Sequence, residues 1–560
     1  MLTYRRHTMR CVVLLGVLLL PALASPQAVA GAGDDAVMVP RGAVRFQMGY
    51  DWTRFFERYG SGRGGRKTGA LELLGAGFSF DSLGPRQLEN LSPIETNIRA
   101  LAAMPDFNAS LGKTVVRVRD RIETTPLGVE LGLTSFLSLG VVVPLVTATS
   151  EVDFRLNPTG REATLGFNPA LDPKNPNTNT ALLAAFQTAS ATLGQRLATC
   201  TTAGAADYCP ALIANAAAAR DLRAAADNFA ALLGRVYGGV AGQKPDLFIP
   251  IAGTTAQRAI EAQVKAFSAL YTAFTGTGIV GTVPFATPLT TADAQGALFT
   301  DRQFGIGAKP FGTNVTRSMG DVDIALKLKL FDTFGGAPNA RLAPSGFNLR
   351  QSFGAMYRLG TGKLGAPDAF TDLGTGSQVN AMEGRSFTDL LFGSHFWVSI
   401  VGRFNRSQAD TRVMRIPASP DQPLTAAYRQ QTVTRQLGDA YDVAVNPRWT
   451  LNEYVGLSAH YYYRHKAADA YTGTFSVVDL AGKPLTIDAS ALTLDTAAEE
   501  HRFGFGATFS TLSAWERGRA RFPVDISWVH YQTTNGAGGN VPKLRIDQVQ
   551  LRLYRKLFGR

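Results

Sequence analysis

Charge is scarce in this chain. Asp, Glu, Lys and Arg together make 18% of its 560 residues, against about 25% in soluble globular proteins. Cysteine is nearly absent, with three residues, and histidine is rare, with six. No repeat of three or seven residues runs through the chain, which excludes collagen and coiled coil. A helical membrane protein is excluded too. The uncharged stretch Ala266 to Ala292 is long enough to span, but Gly, Pro and Thr crowd it as they would not crowd a spanning helix. Disorder is excluded by what is abundant: 45% apolar residues and 10% aromatics.

The first thirty residues read as a secretory signal. Arg5, Arg6 and Arg10 precede an apolar run, Val12 to Leu20, that is too short to span, and Ala28-Val29-Ala30 offers a small-residue cleavage site. Residues 1–30 are therefore set apart from the fold. Their removal takes three Arg and no acid, so the basic excess falls from +12 to +9. Export also decides how the two remaining cysteines are read. Cys200 and Cys209 are close neighbours in a chain entering an oxidising compartment, so a disulfide is expected. A two-Cys metal site is the weaker reading, because no His lies near them.

Outside the middle third, the dominant period is two. Val322, Ile324, Leu326, Leu328 and Leu330 fall on one face; Asp321, Asp323, Ala325, Lys327 and Lys329 fall on the other. One such run fits any half-buried strand. The repetition carries the argument: Val44 to Trp52, Phe347 to Tyr357, Tyr441 to Trp449, Val455 to Tyr463 and Phe503 to Phe509 alternate in the same way. Each run reaches about 10 residues, enough to cross a bilayer when tilted. Apolar outside and polar inside is the pattern of a transmembrane barrel, and lipid forces such a sheet to close.

Twelve antiparallel strands are expected, at roughly 43–54, 113–133, 137–155, 319–331, 346–360, 386–396, 397–412, 430–450, 454–466, 499–511, 519–532 and 543–558. No turn is visible between the sixth and seventh. Short and long connections alternate, and in such barrels short turns face the periplasm and long loops the outside. The chain ends Leu557-Phe558-Gly559-Arg560, two residues past the terminal Phe that barrel assembly machinery usually recognises.

The stretch Pro126 to Pro144, Pro-Leu-Gly-Val-Glu-Leu-Gly-Leu-Thr-Ser-Phe-Leu-Ser-Leu-Gly-Val-Val-Val-Pro, resembles the strand–turn–strand signature of the outer-membrane proteins associated with the meta pathway of phenol degradation. That family is distantly similar to the long-chain fatty-acid transporter barrels. The resemblance implies import of small hydrophobic or aromatic compounds. The fatty-acid transporters also carry an N-terminal plug. Here only about twelve residues separate the cleavage site from Val44, too few to suggest one.

Residues 157–318 break the β pattern. From Ala181 to Ala230, 19 of 50 residues are Ala, which favours helix. Three apolar stripes at helical spacing follow: Leu182, Phe186, Leu193 and Leu197; Leu222, Ala226, Phe229, Leu233 and Val236; Ile260, Val264, Phe267, Tyr271 and Phe274. A three-helix insertion is expected between barrel strands 1–3 (31–156) and 4–12 (319–560). Strand parity places it outside as a cap or plug; a periplasmic placement needs one miscounted strand.

Chemistry is sparse. Gly60 to Thr68 nearly spells a phosphate-binding loop, but Arg66 separates the last Gly from Lys67 and no strand–loop–helix unit surrounds it. Ser527 and His530 are three apart on a strand, hence on opposite faces, so they form no catalytic pair. No catalytic set, metal site or cofactor is expected. The inward faces are richer: Arg45, Asp51, Arg117, Arg119, Arg121, Glu123, Glu130, Asp321, Asp323, Lys327, Lys329, Arg350, Arg358, Asp442, Arg448, Arg464, Arg502 and Asp525 all take lumen positions in these registers. They make either a salt-bridged filling or a basic path for an anionic or amphipathic solute. The chain thus reads as a non-enzymatic bacterial outer-membrane channel or facilitator for small hydrophobic or amphipathic molecules. Its expected partners are outer-membrane lipid and lipopolysaccharide, the assembly machinery and the solute, with no nucleic acid. The rival reading is a barrel anchor that presents a helical module for adhesion or partner binding.

Overall fold

The computed structural model describes residues 35–61, 68–160, 162–172, 179–202, 205–302, 306–334, 346–393, 395–419, 422–480, 482–539 and 541–557. Residues 1–34, with the expected signal segment, most of the Gly60–Thr68 loop and Phe558 to Arg560 lie outside them. Twelve antiparallel strands close into one barrel. They are β1 (Ala43–Phe55), β2 (Thr114–Gly132), β3 (Leu137–Leu156), the interrupted β4 (Asn314–Met319 and Val322–Asp332), β5 (Phe347–Leu359) and β6 (Ala381–Phe392). The circuit continues through β7 (Phe396–Ser407), β8 (Ala440–Thr450), β9 (Val455–Lys466), β10 (Ala498–Ser510), β11 (Val524–Gly538) and β12 (Arg545–Lys556). β1 pairs with β2 on one side and β12 on the other, with Ala43 opposite Lys556. No helix among the described residues is long and apolar enough to cross a membrane.

The strand count matches the periodicity, but several boundaries move, and the eleventh strand, expected at 519–532, lies at 524–538. The sixth and seventh strands lie at 381–392 and 396–407, joined by a tight turn at Gly393, whose φ of 59° favours glycine. The single strand read at 430–450 is two: Gln430–Gln436 joins a small sheet beyond the rim, and β8 begins at Ala440. β4 breaks at Gly320-Asp321. There the neighbouring wall pairs Pro126 with Pro144, two residues without an N–H for the ladder. Asp321 is fully buried and accepts bonds from Gly362 N (2.9 Å), Ser377 N and Ser377 Oγ (both 2.8 Å).

The faces follow parity. Ile324, Leu326, Leu328 and Leu330 are exposed, Leu326 by 46%, while Ala325, Lys327 and Lys329 are half-buried. An exposed face this apolar needs lipid as its solvent. Aromatics ring its edges. At the short-turn end Phe347, Phe392, Phe396 and Trp449 follow one another at 5.4, 6.1 and 6.3 Å between ring centroids. Towards the other end Tyr463 and His501 lie 5.0 Å apart, as do Tyr461 and Phe503.

The long connections build a cap at that second end. α2 (Thr180–Thr199), α4 (Ala216–Tyr237) and α5 (Thr255–Thr275) carry the three stripes. Phe186, Phe229 and Phe267 join them, with centroids 5.1–6.1 Å apart. α1 (Leu91–Ala102), from the 56–113 connection, is a fourth helix that no long stripe announced; its Leu91, Ile94, Ile98 and Leu101 are buried in the same core. Cys200 ends α2 and Cys209 opens α3 (Cys209–Ala214); they are disulfide-bonded with Cα atoms 5.0 Å apart. Phe154 of β3 packs against Phe299 and Phe311, both at 5.3 Å, seating the cap on the rim.

Four assigned lumen positions are wrong. Arg117, Arg119 and Arg121 are exposed and Glu123 half-buried on the outside of β2, whereas Val116, Val118, Asp120 and Ile122 are buried on its inside. Parity is unbroken down to the lipid-facing Leu127 and Val129. What changes is the surroundings. Above the lipid the inside of β2 meets the apolar core of the cap, and the outside meets water. Polar and apolar faces therefore swap while the register holds. Asp153 and Glu151 lie opposite Arg117 and Arg119 on β3.

Two outcomes follow. Leu326→Arg should cost ~2–4 kcal/mol and abolish the heat-modifiable electrophoretic mobility of the folded barrel, whereas Arg119→Leu should leave it unchanged; equal loss from both would refute the assigned faces. Cys200→Ser should remove ~2–3 kcal/mol of loop-entropy stabilisation, confined to the cap. Protease sensitivity of the cap should rise while the barrel keeps its mobility.

Candidate transport lumen

Alternation aims one residue in two at the axis, and the closed wall brings those side chains together. Arg45 pairs with Glu130, whose other oxygen accepts Ser138 Oγ at 2.7 Å. Arg358 grips Asp323 with two bonds of 2.7 and 2.9 Å. Arg464 meets Asp442 at 3.4 Å, and Arg350 meets Asp332 at 3.2 Å. Asp51 accepts Gln548 Nε2 at 2.8 Å, and Asp525 lies 3.8 Å from Arg552. Arg502 holds Glu500 at 2.7 and 2.6 Å, and Thr533 adds a bond to the same carboxylate. Lys329 lies on the inward parity of β4 near the short-turn end, and Asp321 sits at the β4 break. The salt-bridged filling thus accounts for most of the sequence-assigned charges. Burying such groups is tolerable only when each has a partner.

Several members were missed. Glu383, Arg385 and Asp389 of β6 face inward, Arg385 to Glu383 at 2.5 Å. The strand starts five residues earlier than its periodicity suggests. Its inner face also carries Phe387 and Leu391, while the outer face carries Gly384, Ser386 and Thr388, so it shows no amphipathic signature. His460, also inward, is bonded by Nε2 to Ser458 Oγ and by Nδ1 to Asn446 Oδ1, both at 2.8 Å. His530 lies on the outer wall beside Asp547 (2.9 Å) and Phe505.

The first described residues occupy the lumen, against the expectation that this segment is too short to form a plug. Residues 35–40 run inside the wall and leave by a turn in which Gly42 has φ +71°. Asp35 Oδ2 accepts Arg448 Nη1 at 3.0 Å. Lys327 Nζ donates to the carbonyls of Asp35 and Val37. Ala36 N donates to Asp389 (3.0 Å) and Ala36 O accepts Ser352 Oγ (2.8 Å). Ala36 is buried among Phe387, Val401, Ala444 and Tyr462, and Val37 packs on Phe334, Leu391 and Trp397. β4, β5, β6 and β8 thus bond Asp35, Ala36 and Val37. The crossing is tight: a Cβ on Gly132 would lie 2.1 Å from Pro40 O. Beside this segment a cavity of about 200 Å³ opens into the wall of β1 to β5, reaching Arg385 and Phe387 of β6 and Gln550 and Arg552 of β12.

No family model matches the chain, and no curated protein does. Among solved structures it is similar to an outer membrane channel from Pseudomonas putida F1, at 9% identity over 94% of this chain and all of that one, with a TM-score of 0.39. It is also similar to the P. putida toluene transporter TodX, at 10% identity over 92% and 89% of the two chains and a TM-score of 0.23. A third is the CymD monoaromatic hydrocarbon channel, at 8% identity over 93% and 90%, with a TM-score of 0.24.

The N-terminal segment takes up lumen cross-section. Deleting residues 35–39 should raise single-channel conductance in planar bilayers without loss of heat-modifiable mobility. Unchanged conductance would show that the segment does not limit the path.

Proposed function

We propose that the protein is an outer-membrane channel or facilitator for small hydrophobic or amphipathic molecules. One observation carries this reading: the wall of the membrane-spanning barrel holds a cavity, with Pro126, Pro144, Met356 and Phe387 beside Arg45 and Arg552. The leader and the lipid-facing belt support an outer-membrane location with the short turns in the periplasm and the cap outside. On that placement Arg54, Arg117, Arg119 and Arg121 face the headgroup level, where lipopolysaccharide phosphates supply anions.

The Ser458–His460–Asn446 geometry favours a second reading, hydrolysis, since triads are recognised by arrangement rather than position. Two features count against it. His460 is only 4% exposed. Arg448, the cation opposite Ser458 in register, is committed to Asp35, so it is not positioned to stabilise an oxyanion. A fluorophosphonate probe should leave Ser458 unlabelled. The adhesion reading is separated by the cap: replacing residues 157–317 with a Gly-Ser linker should alter conductance or solute selectivity. If the truncated barrel assembles and both match the full chain, the cap is a surface module and adhesion moves ahead of transport.

A further inference from the structure

We infer that the cavity in the β1–β5 wall is a binding site for a small monocarboxylate with an apolar body. This rests on the transport reading above and adds the chemistry of the solute. Arg45, Gln550 and Arg552 line the cavity. Each is at least nine-tenths buried, and Arg45 Nε, Arg552 Nε and Gln550 Oε1 have no hydrogen-bond partner. Buried polar groups are nearly always bonded, so unmatched ones gathered on one cavity point to something that fills it.

The three belong to one patch of wall. Gln550 and Arg552 are two residues apart on β12 and so share a face. Arg552 stands opposite Gln47, two residues from Arg45 on β1. Arg45 uses Nη2 on Glu130, and Arg552 turns Nη1 towards Asp525. The edge each leaves is an N–H that suits an oxygen anion. The Gln550 amide supplies a third donor once its oxygen and nitrogen are exchanged, an assignment fixed by the bonding network rather than by shape.

Charge and size limit the ligand. Arg45, Lys327, Arg385 and Arg552 line the cavity against the carboxylates of Glu130 and Asp323. Most of these cations already have acidic partners, so the site suits one added negative charge better than two. Apolar lining comes from Pro126, Val142, Pro144, Ala325, Met356 and Phe387, interspersed with the polar Gln47, Thr124 and Ser138. A cavity of about 150 Å³ holds a benzene ring; the space here is about 200 Å³, enough for a ring or short chain with a carboxylate attached.

The test is calorimetric titration of the folded full-length protein in detergent with benzoate and hexanoate, each against its neutral analogue, benzyl alcohol or 1-hexanol. The acids should bind more tightly by about ten- to a hundredfold, the range of a bond to a charged group. Arg552→Gln should remove most of that difference and leave the alcohols unchanged. Ala325→Phe, which fills the cavity without removing a member of any ion pair, should abolish binding of both; heat-modifiable mobility confirms that each variant folds. Equal affinity for acid and alcohol, or acid binding that survives both substitutions, overturns the site. So does binding of neither, and if neutral solutes still permeate liposomes the channel reading stands alone. Acid binding in a barrel that passes no solute would uphold the site and overturn the channel.

Discussion

Hydrocarbon offers no hydrogen bond to a peptide group, and the rest of this structure depends on that fact. Every strand in the membrane must have a neighbour on each side. β1 meets that demand by pairing with β2 and with β12, strands from opposite ends of the chain. Closure removes freedom as well as edges. Once the ladder is continuous, a strand cannot rotate locally to bring a preferred face outward. The sequence then has to suit whatever surroundings the fixed parity meets along the strand.

β2 shows this best. Over its 19 residues the same odd positions meet lipid at Leu127 and Val129 and water at Arg117 to Arg121. Its even positions meet the lumen at Glu130 and the cap core at Val116 and Val118. A polarity rule assigns the faces correctly wherever lipid lies outside and fails where lipid ends. Exposed pairs such as Arg155–Asp153 (3.1 Å) add little stability at such a surface; their role is to stay soluble where the belt stops.

Twelve strands and the three Ala-rich helices were legible because each rests on a period carried by large side chains. β4 displays it in five successive Leu, Ile or Val positions, and the helical stripes meet through Phe186, Phe229 and Phe267. β6 was less legible because Phe387 and Leu391 point inward, where they cover Ala36 and Val37 rather than lipid. α1 was hidden inside a connection that looked like loop. Six residues of extended chain in the lumen left no periodic trace at all; their partners, Lys327, Ser352, Asp389 and Arg448, are ordinary members of four separate strands. Ser458 and His460 share a face of β9, but Asn446 was invisible for a similar reason, since it joins them only across the β8–β9 register.

The N-terminal segment also imposes an order of events. Arg448 lies 413 residues after Asp35, and the other bonds to the segment come from residues about 290–350 positions later in the chain. Docking of residues 35–37 therefore closes some of the longest loops in the chain, and it is complete only when β4, β5, β6 and β8 stand in place. Their docking is one of the last long-range contacts available to the chain, and it reports a wall that is nearly complete.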